Sequence, residues 1–439
     1  MRLDKIRIEN MRLVGSSPLT VDFAADKNIT LVMGDNGAGK TTLLDGIAYM
    51  VSPFIAQFPG QPYSSIIDSD VHLASDGRPA PCLGIEAVFG LPTGTAVARR
   101  YRKGSEEAPK SDTQALRAYA GELGDAIRAG ESGARLPILA YYGTDRGNIA
   151  GPERRRYTSK TYERWDCYTA SMLSATNFKR FFAWFDLMED EERRERDRLG
   201  DRAYRSPVLE TVRTALSTLL GENYSHPRIE TRPLRFVVDV RDEDGVRELR
   251  IEQLSAGYKV MIAMVADLAA RMAEGNPDTP TPLSETGIVL IDEIDLHLHA
   301  RWQRQILSQL SQIFPNVQFV ITTHSPVVVL GANDNSVQLI RLTSSGAEDI
   351  SRTDMSNYDV SLILLSEAFS LPSVYSERVE RAFARREELL RQGSLTPAEN
   401  EELGRLNAEV YGLPRQGTTD DQQRAEQALL SWASQEGLL

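Results

Sequence analysis

Apolar and polar positions alternate at the start of the chain. Leu3 to Asn10 sets Leu3, Ile6 and Ile8 among charged residues, the pattern of a half-buried strand, and Leu19 to Phe23 forms a second short one. Ile29 to Met33 is apolar without interruption, as in a strand covered on both faces, and runs into a glycine-rich turn. Thr41 to Met50 then carries Leu43, Leu44, Ile47 and Met50 at helical spacing, which predicts a helix with a core face. Leu83 to Phe89 and Ala96 to Tyr101 predict two more strands that close this first sheet.

The middle of the chain changes character. Ser111 to Ala129 suits a helix and Pro137 to Tyr142 a buried strand, and a basic stretch with Arg146, Arg154, Arg155, Arg156, Lys160 and Arg164 follows. Phe178, Phe181, Phe182 and Phe185 share one helical face, a core stripe rather than a base-stacking platform. Glu189 to Arg198 interleaves both signs, with Glu189–Arg193 and Asp190–Arg194 four apart, and predicts a solvated helix laced with ion pairs. Pro207 to Leu220 predicts a helix, Leu234 to Val240 and Val246 to Ile251 two strands, and 274–285 a polar, proline-rich loop. The tail predicts helices over Val360 to Phe369, Ser376 to Gln392 and Thr396 to Tyr411, the last opened by a Thr396/Glu399 capping box with Pro397 at its first position. The last two dozen residues are expected to fray or dock weakly.

At 439 residues, roughly three domains are expected at about 150 residues each. Hydrophobic residues at 41% and charged residues at 26% exclude a mainly disordered chain. Cys82 and Cys167 are too few for a disulfide framework and suit a reducing, intracellular setting. MRLDKIRIEN reads as a strand rather than a signal peptide, and no run of about 18 apolar residues occurs, so a cytoplasmic protein without a membrane partner is expected. The net charge of −12 argues against general nucleic-acid binding, while the basic stretch keeps a local contact with DNA or RNA open.

Chemistry enters with Gly34-Asp35-Asn36-Gly37-Ala38-Gly39-Lys40-Thr41, which fits G-x-x-x-x-G-K-[ST] between an apolar strand and a helix. Glycines let backbone N–H groups curl around an anion, and the helix N-terminus adds its positive dipole end. Asn36, Gly37, Ala38, Gly39, Lys40, Thr41 and Thr42 are therefore the candidate nucleotide-binding set. Lys40 would reach the β/γ-phosphates of ATP and the Thr41 hydroxyl would bind Mg²⁺. Ile288 to Ile291 is a second apolar strand and ends in Asp292-Glu293. Asp292 would hold the Mg²⁺, and Glu293 would orient and deprotonate the attacking water.

Two further pieces follow in a telling order. Leu254-Ser255-Ala256-Gly257-Tyr258-Lys259 opens an apolar helix, and Val320 to Thr323 ends at His324-Ser325-Pro326. P-loop, LSAGYK, acidic pair and histidine together resemble the ABC-type ATPases, in the soluble branch with the SMC, RecF-like and OLD families. That resemblance implies an α/β P-loop NTPase fold: an ABC-type ATPase head, a mixed or parallel sheet with flanking helices, plus a helical insertion and a helical C-terminal region. It divides the chain into 1–102 and 250–352 as the two halves of the head, 103–249 as a mainly helical insertion with arm strands, and 353–439 as the helical tail. It also implies that Ser255, Ala256 and Gly257 act in trans on ATP held by a second copy, that Asp295 lies in the D-loop, and that His324 senses the γ-phosphate. Arg12 falls where such proteins place a nucleotide-contacting arginine.

The sequence departs from that pattern. Ala256 replaces a glycine, and alanine tolerates positive φ poorly, so the signature loop is expected to sit differently. No Q-loop glutamine is evident, and Asp145 or Arg146, after the strand Ile138 to Tyr142, stand where its coupling role would fall. His297 and His299 in DLHLH invite a metal, but residues two apart on a helix diverge.

LPILAYYGTDRG, FFAWFDLMEDEERRE, GIVLIDEIDLHLHARWQRQIL and VQFVITTHSPVVV are similar to the stand-alone ATPases of Septu and Septu-like retron anti-phage systems. That resemblance implies a homodimer or higher oligomer working with an operon-encoded effector nuclease. No Toprim set or second nuclease motif follows His324. The alternative is a RecF-like DNA-repair ATPase that clamps DNA directly through Arg146 to Arg164.

Overall fold

The computed structural model describes the chain apart from residues 148–161, 175–177, 222, 232–233, 243–244, 333–335, 344, 352–354, 356–357, 393 and 412–439. Two compact units are present, Met1–Phe369 and Ser370–Leu439.

The first unit begins with β1 (Arg2–Glu9), β2 (Leu19–Asp22), β3 (Ile29–Gly34) and α1 (Lys40–Ile55), then β4 (Cys82–Leu91), β5 (Gly94–Lys103), α2 (Gln114–Arg128) and β6 (Ile138–Tyr142). The early strands divide between two sheets instead of closing one. Alternating β1, β2, β4 and β5 form an antiparallel sheet in the order β2-β1-β4-β5. Apolar β3 leaves them for a second sheet, because burial on both faces suits a parallel interior strand. α1 lies against both: Gly46 passes so close to β1 that a Cβ there would sit 2.5 Å from Ile8 Cδ1.

The chain continues through α3 (Lys179–Leu199), α4 (Pro207–Leu220), β7 (Tyr224–Thr231), β8 (Leu234–Asp242), β9 (Gly245–Arg250) and α5 (Ala256–Gly275). β7, β8 and β9 make a three-stranded antiparallel sheet. Phe181, Phe182 and Phe185 of α3 pack around Phe236 of β8, so the aromatic stripe is core. The charged half of α3 departs from a solvated face. Glu189 and Glu192 are buried, accepting from the N–H groups of Ile229 and Ser206 at 3.0 and 2.7 Å, and Arg213 of α4 donates to Glu192 at 3.0 Å. Sequence spacing reported ion pairs along α3, but these carboxylates also tie down neighbouring elements. β7 is not among the strands expected from sequence; a register shift between Ser225 and Arg228, with His226 at φ 49, accommodates Pro227 within it.

β10 (Gly287–Ile291), α6 (Ala300–Ile313), β11 (Val317–Thr322), α7 (Pro326–Leu330), β12 (Val337–Thr343), β13 (Gly346–Asp349) and α8 (Val360–Leu365) complete the unit. The main sheet runs β13-β12-β3-β11-β10-β6, parallel except for β13. It brings the C-terminal ends of β3, β11, β10 and β6 side by side, where ligands bind in open parallel sheets. β6, which lies in the stretch 103–249 expected to be a mainly helical insertion, is therefore a strand of this sheet. α5 is buried nearly all round, as its apolar sequence requires.

In the second unit, α9 (Glu377–Arg391) and α10 (Pro397–Tyr411) are joined by Arg385–Glu402 and Arg378–Glu409 pairs. The capping box is formed: Thr396 N–H donates to Glu399 at 2.7 Å, and Glu399 N–H to Thr396 Oγ1 at 3.3 Å. The final two dozen residues lie outside the described residues. Among the described residues no helix is long and apolar enough to cross a membrane.

Candidate functional site

The glycine-rich turn after β3 is built by backbone freedom that only glycine supplies. A Cβ at Gly34 would lie 2.5 Å from the Leu342 carbonyl oxygen, and Gly37 and Gly39 have φ of 85° and 95°. Gly39 caps α1 without a side-chain hydrogen bond, so no side chain satisfies the first-turn N–H groups from that position. Asn36 and Gly37 are exposed on the loop, Ala38 donates its N–H to Asp35 O at 3.1 Å, and Thr42 is buried beneath it. Lys40 is buried and its ammonium donates to Gly34 O and Asp35 O at 2.7 and 2.9 Å. Burial pulls its pKa below the ordinary lysine value, opposed by Glu293, Asp292, Asp35 and Asp295.

Across from this loop, β10 delivers the acidic pair. Thr41 Oγ1 donates to Asp292 Oδ2 at 2.9 Å, joining residues 251 apart in sequence. Thr322, at the end of β11, donates through Oγ1 to Asp292 Oδ1 at 2.6 Å and accepts the Glu293 N–H at 2.7 Å. Glu293 adopts φ 47°, a left-handed backbone uncommon for a glutamate. Thr323 Oγ1 donates to Asp295 Oδ1 at 2.5 Å, and the His324 N–H donates to the same oxygen at 3.3 Å. Lys40, Thr41, Asp292, Glu293, Asp295 and His324 thus converge on one edge of the sheet. A hydroxyl and a carboxylate meeting at 2.9 Å are hard oxygen donors of the kind Mg²⁺ takes, so the residues fit that ion.

Arg12 sits beside this cluster with φ 52°, its guanidinium paired with Asp45 of α1 and with Asp70, the latter at 2.9 Å. The turn that carries it lies over the P-loop: Cβ atoms at Gly37 and Gly39 would approach Leu13 and Val14 within 3.7 and 3.5 Å.

The signature residues are elsewhere. Ser255 is the N-cap of α5 and accepts the Tyr258 N–H at 3.5 Å. Among the described residues no hydrogen bond or ion pair joins Ser255, Ala256 or Gly257 to the P-loop. Ala256 is the first residue of α5 and has no positive φ, so its side chain imposes no backbone strain there. The glycine that matters is Gly257, where a Cβ would lie 2.5 Å from the His297 carbonyl oxygen. His297 turns the chain at φ 67°, and His299 caps α6 by accepting the Arg301 N–H.

The basic stretch does not form an exposed surface at its ends. Arg146 is 2% exposed, and Arg164 donates inward to Gly275 O and Ala134 O at 2.8 and 2.9 Å. Arg154, Arg155, Arg156 and Lys160 lie outside the described residues. Sequence reading missed Thr322 and Thr323, whose only local signal is a pair of hydroxyls closing an apolar strand. It also missed the buried chain in which Tyr142 OH donates to Asp267 of α5 at 2.9 Å and Arg271 donates to the same carboxylate at 2.7 Å.

Two family models match the chain: "AAA domain" over residues 5–215, and "AAA domain, putative AbiEii toxin, Type IV TA system" over 152–330. The Retron Ec83 probable ATPase of Escherichia coli is 27% identical over 400 residues, covering 78% of this chain and 72% of that one. The Retron Vc95 probable ATPase of Vibrio cholerae serotype O1 biovar El Tor is 25% identical over 437 residues, covering 89% and 84%. The Septu protein PtuA of Bacillus mycoides is 28% identical over 233 residues, half of this chain and 32% of that protein.

Proposed function

We propose that this chain, an ABC-type ATPase related to the ATPases of retron and Septu systems, hydrolyses ATP with Mg²⁺ between two head-to-tail copies and thereby controls a separate effector, a nuclease, in cytoplasmic anti-phage defence. The observation that carries the reading is the bonded series Thr41–Asp292–Thr322–Glu293, which joins the P-loop to an acidic pair. Thr41 and Asp292 would hold Mg²⁺, which supplies charge neutralisation at the β/γ-phosphates when bound. Lys40 and the glycine-rich backbone bind the phosphates, with Asn36, Gly37, Ala38, Gly39 and Thr42 shaping the loop and Arg12 at its rim. Glu293 orients and deprotonates the attacking water, and His324, held by Asp295, faces the γ-phosphate. Ser255 and Gly257 reach the nucleotide of the second copy, a reading supported by the lack, among the described residues, of any hydrogen bond or ion pair from them to the P-loop of their own chain.

The trans arrangement is tested by mixing two inactive chains, Lys40→Ala and Ser255→Arg. A head-to-tail dimer of one of each contains one intact site and one doubly damaged site, so ATPase activity should appear on mixing. Mixtures as inactive as their parents count against it. Control of an effector is tested by co-purification: a nuclease encoded beside this chain should remain bound through gel filtration, whereas salt-sensitive DNA binding by the chain alone would favour a DNA clamp.

A further inference from the structure

Arg146 occupies a short 3-10 turn, Thr144–Gly147, directly after β6, and its side chain points into the protein. One guanidinium nitrogen donates to Gly143 O at 2.9 Å and to the main-chain carbonyl of Asp292; the other donates to the main-chain carbonyl of Glu293. A buried guanidinium ordinarily finds a carboxylate. Here the charges of Asp292, Asp295 and Glu293 act on the cation, yet among the described residues the fork closes on backbone oxygens. Those oxygens bracket the residue whose backbone is left-handed. The Glu293 N–H is taken by Thr322 Oγ1 and its carbonyl by Arg146, so the conformation that directs the carboxylate is clamped on both sides.

We infer that Arg146 is a positioning residue for ATP hydrolysis: by bonding the carbonyls of Asp292 and Glu293 together it fixes the backbone that aims the Glu293 carboxylate. The inference rests on Glu293 being the general base. It goes further, assigning to Arg146 an action on rate that passes through Glu293 and not through the nucleotide. Lysine cannot reproduce it, because an ammonium is a point charge and lacks the planar fork that spans two carbonyls. Glutamine is shorter and uncharged, and its two N–H donors sit on a single nitrogen rather than on the two arms of a fork.

The test uses the full chain in six forms: wild type, Arg146→Lys, Arg146→Gln, Arg146→Ala, Glu293→Gln, and Arg146→Lys with Glu293→Gln. Steady-state ATPase is measured beside equilibrium binding of ATP, with thermal melting as the check on folding. Arg146→Lys should lower kcat by roughly 10²-fold, the scale of a misaimed general base, while KM and ATP affinity move less than about threefold. In the Glu293→Gln background the same change should lower the residual rate by less than about twofold, because both act at one group. If Arg146→Lys melts far below wild type, Arg146→Gln carries the same comparison, and millimolar guanidinium should restore turnover to Arg146→Ala. Wild-type kcat in the Arg146 variants, a loss of ATP affinity equal to the loss of rate, or a full additional loss in the double variant would overturn the inference. Wild-type turnover by Glu293→Gln alone would instead remove the general-base reading beneath it, so the two failures are told apart.

Discussion

Thr322 carries two hydrogen bonds that a valine of the same shape would lose. Thr322→Val should leave β11 intact, release Asp292 Oδ1 and the Glu293 N–H, and cost about 1–3 kcal/mol for the buried groups left unmatched. ATPase should fall about tenfold or more with ATP binding retained, and wild-type kinetics would show that these bonds do not hold the site. Glu189 offers a pH test. Burial raises it to about 7 from 4.5, against the Ile229 N–H, Arg193 and Arg213. The folded chain therefore keeps a proton that the unfolded chain releases, so this stabilisation is complete below pH 4.5 and is lost as pH rises through about 7. Glu189→Gln should flatten the melting temperature across that window; an unchanged slope would remove Glu189 as its cause. The P-loop was legible at this scale because its chemistry lies in eight consecutive residues. Thr322 was not, and Arg146 was marked only by its place after the strand Ile138 to Tyr142, since what they bond is far away in sequence and nothing local states where a hydroxyl or guanidinium will point.

Elements were legible where periodicity was strong. β3, β10 and β11 are mainly apolar runs and became interior strands of the main sheet, apolar β6 became its buried edge strand, and the Thr396/Glu399 box opens α10 as its spacing required. What pattern alone missed was partnership. β3 follows β2 in the chain but pairs with β11 and β12, so a run of consecutive strands resolved into two sheets. The signature region shows the same limit: an LSxG start marks a helix, whereas the need for glycine at 257 comes from the approach of His297. Gly257→Ala would force α5 away from that turn at a cost of about 1–3 kcal/mol. A lower melting temperature and weaker ATPase are expected, and an unaffected protein would show that the turn yields freely. Thr396→Ala should cost about 1 kcal/mol at the α10 N-terminus, seen as faster amide exchange in its first turn.

For the whole molecule, no hydrogen bond or ion pair among the described residues joins Ser255 to Lys40, and on the proposed reading a second copy supplies that contact. The overall charge of −12 suits a protein that acts through a partner rather than by general attraction to nucleic acid. The central claim is that the acidic pair drives hydrolysis of ATP held by the P-loop in a dimer. Its most direct measurement is phosphate release by Glu293→Gln in ATP and Mg²⁺, with the mass of the particle followed by light scattering in the same sample. Turnover reduced by about 10²-fold or more, with a persistent ATP-bound dimer, is the predicted result. Hydrolysis at the wild-type rate would contradict it.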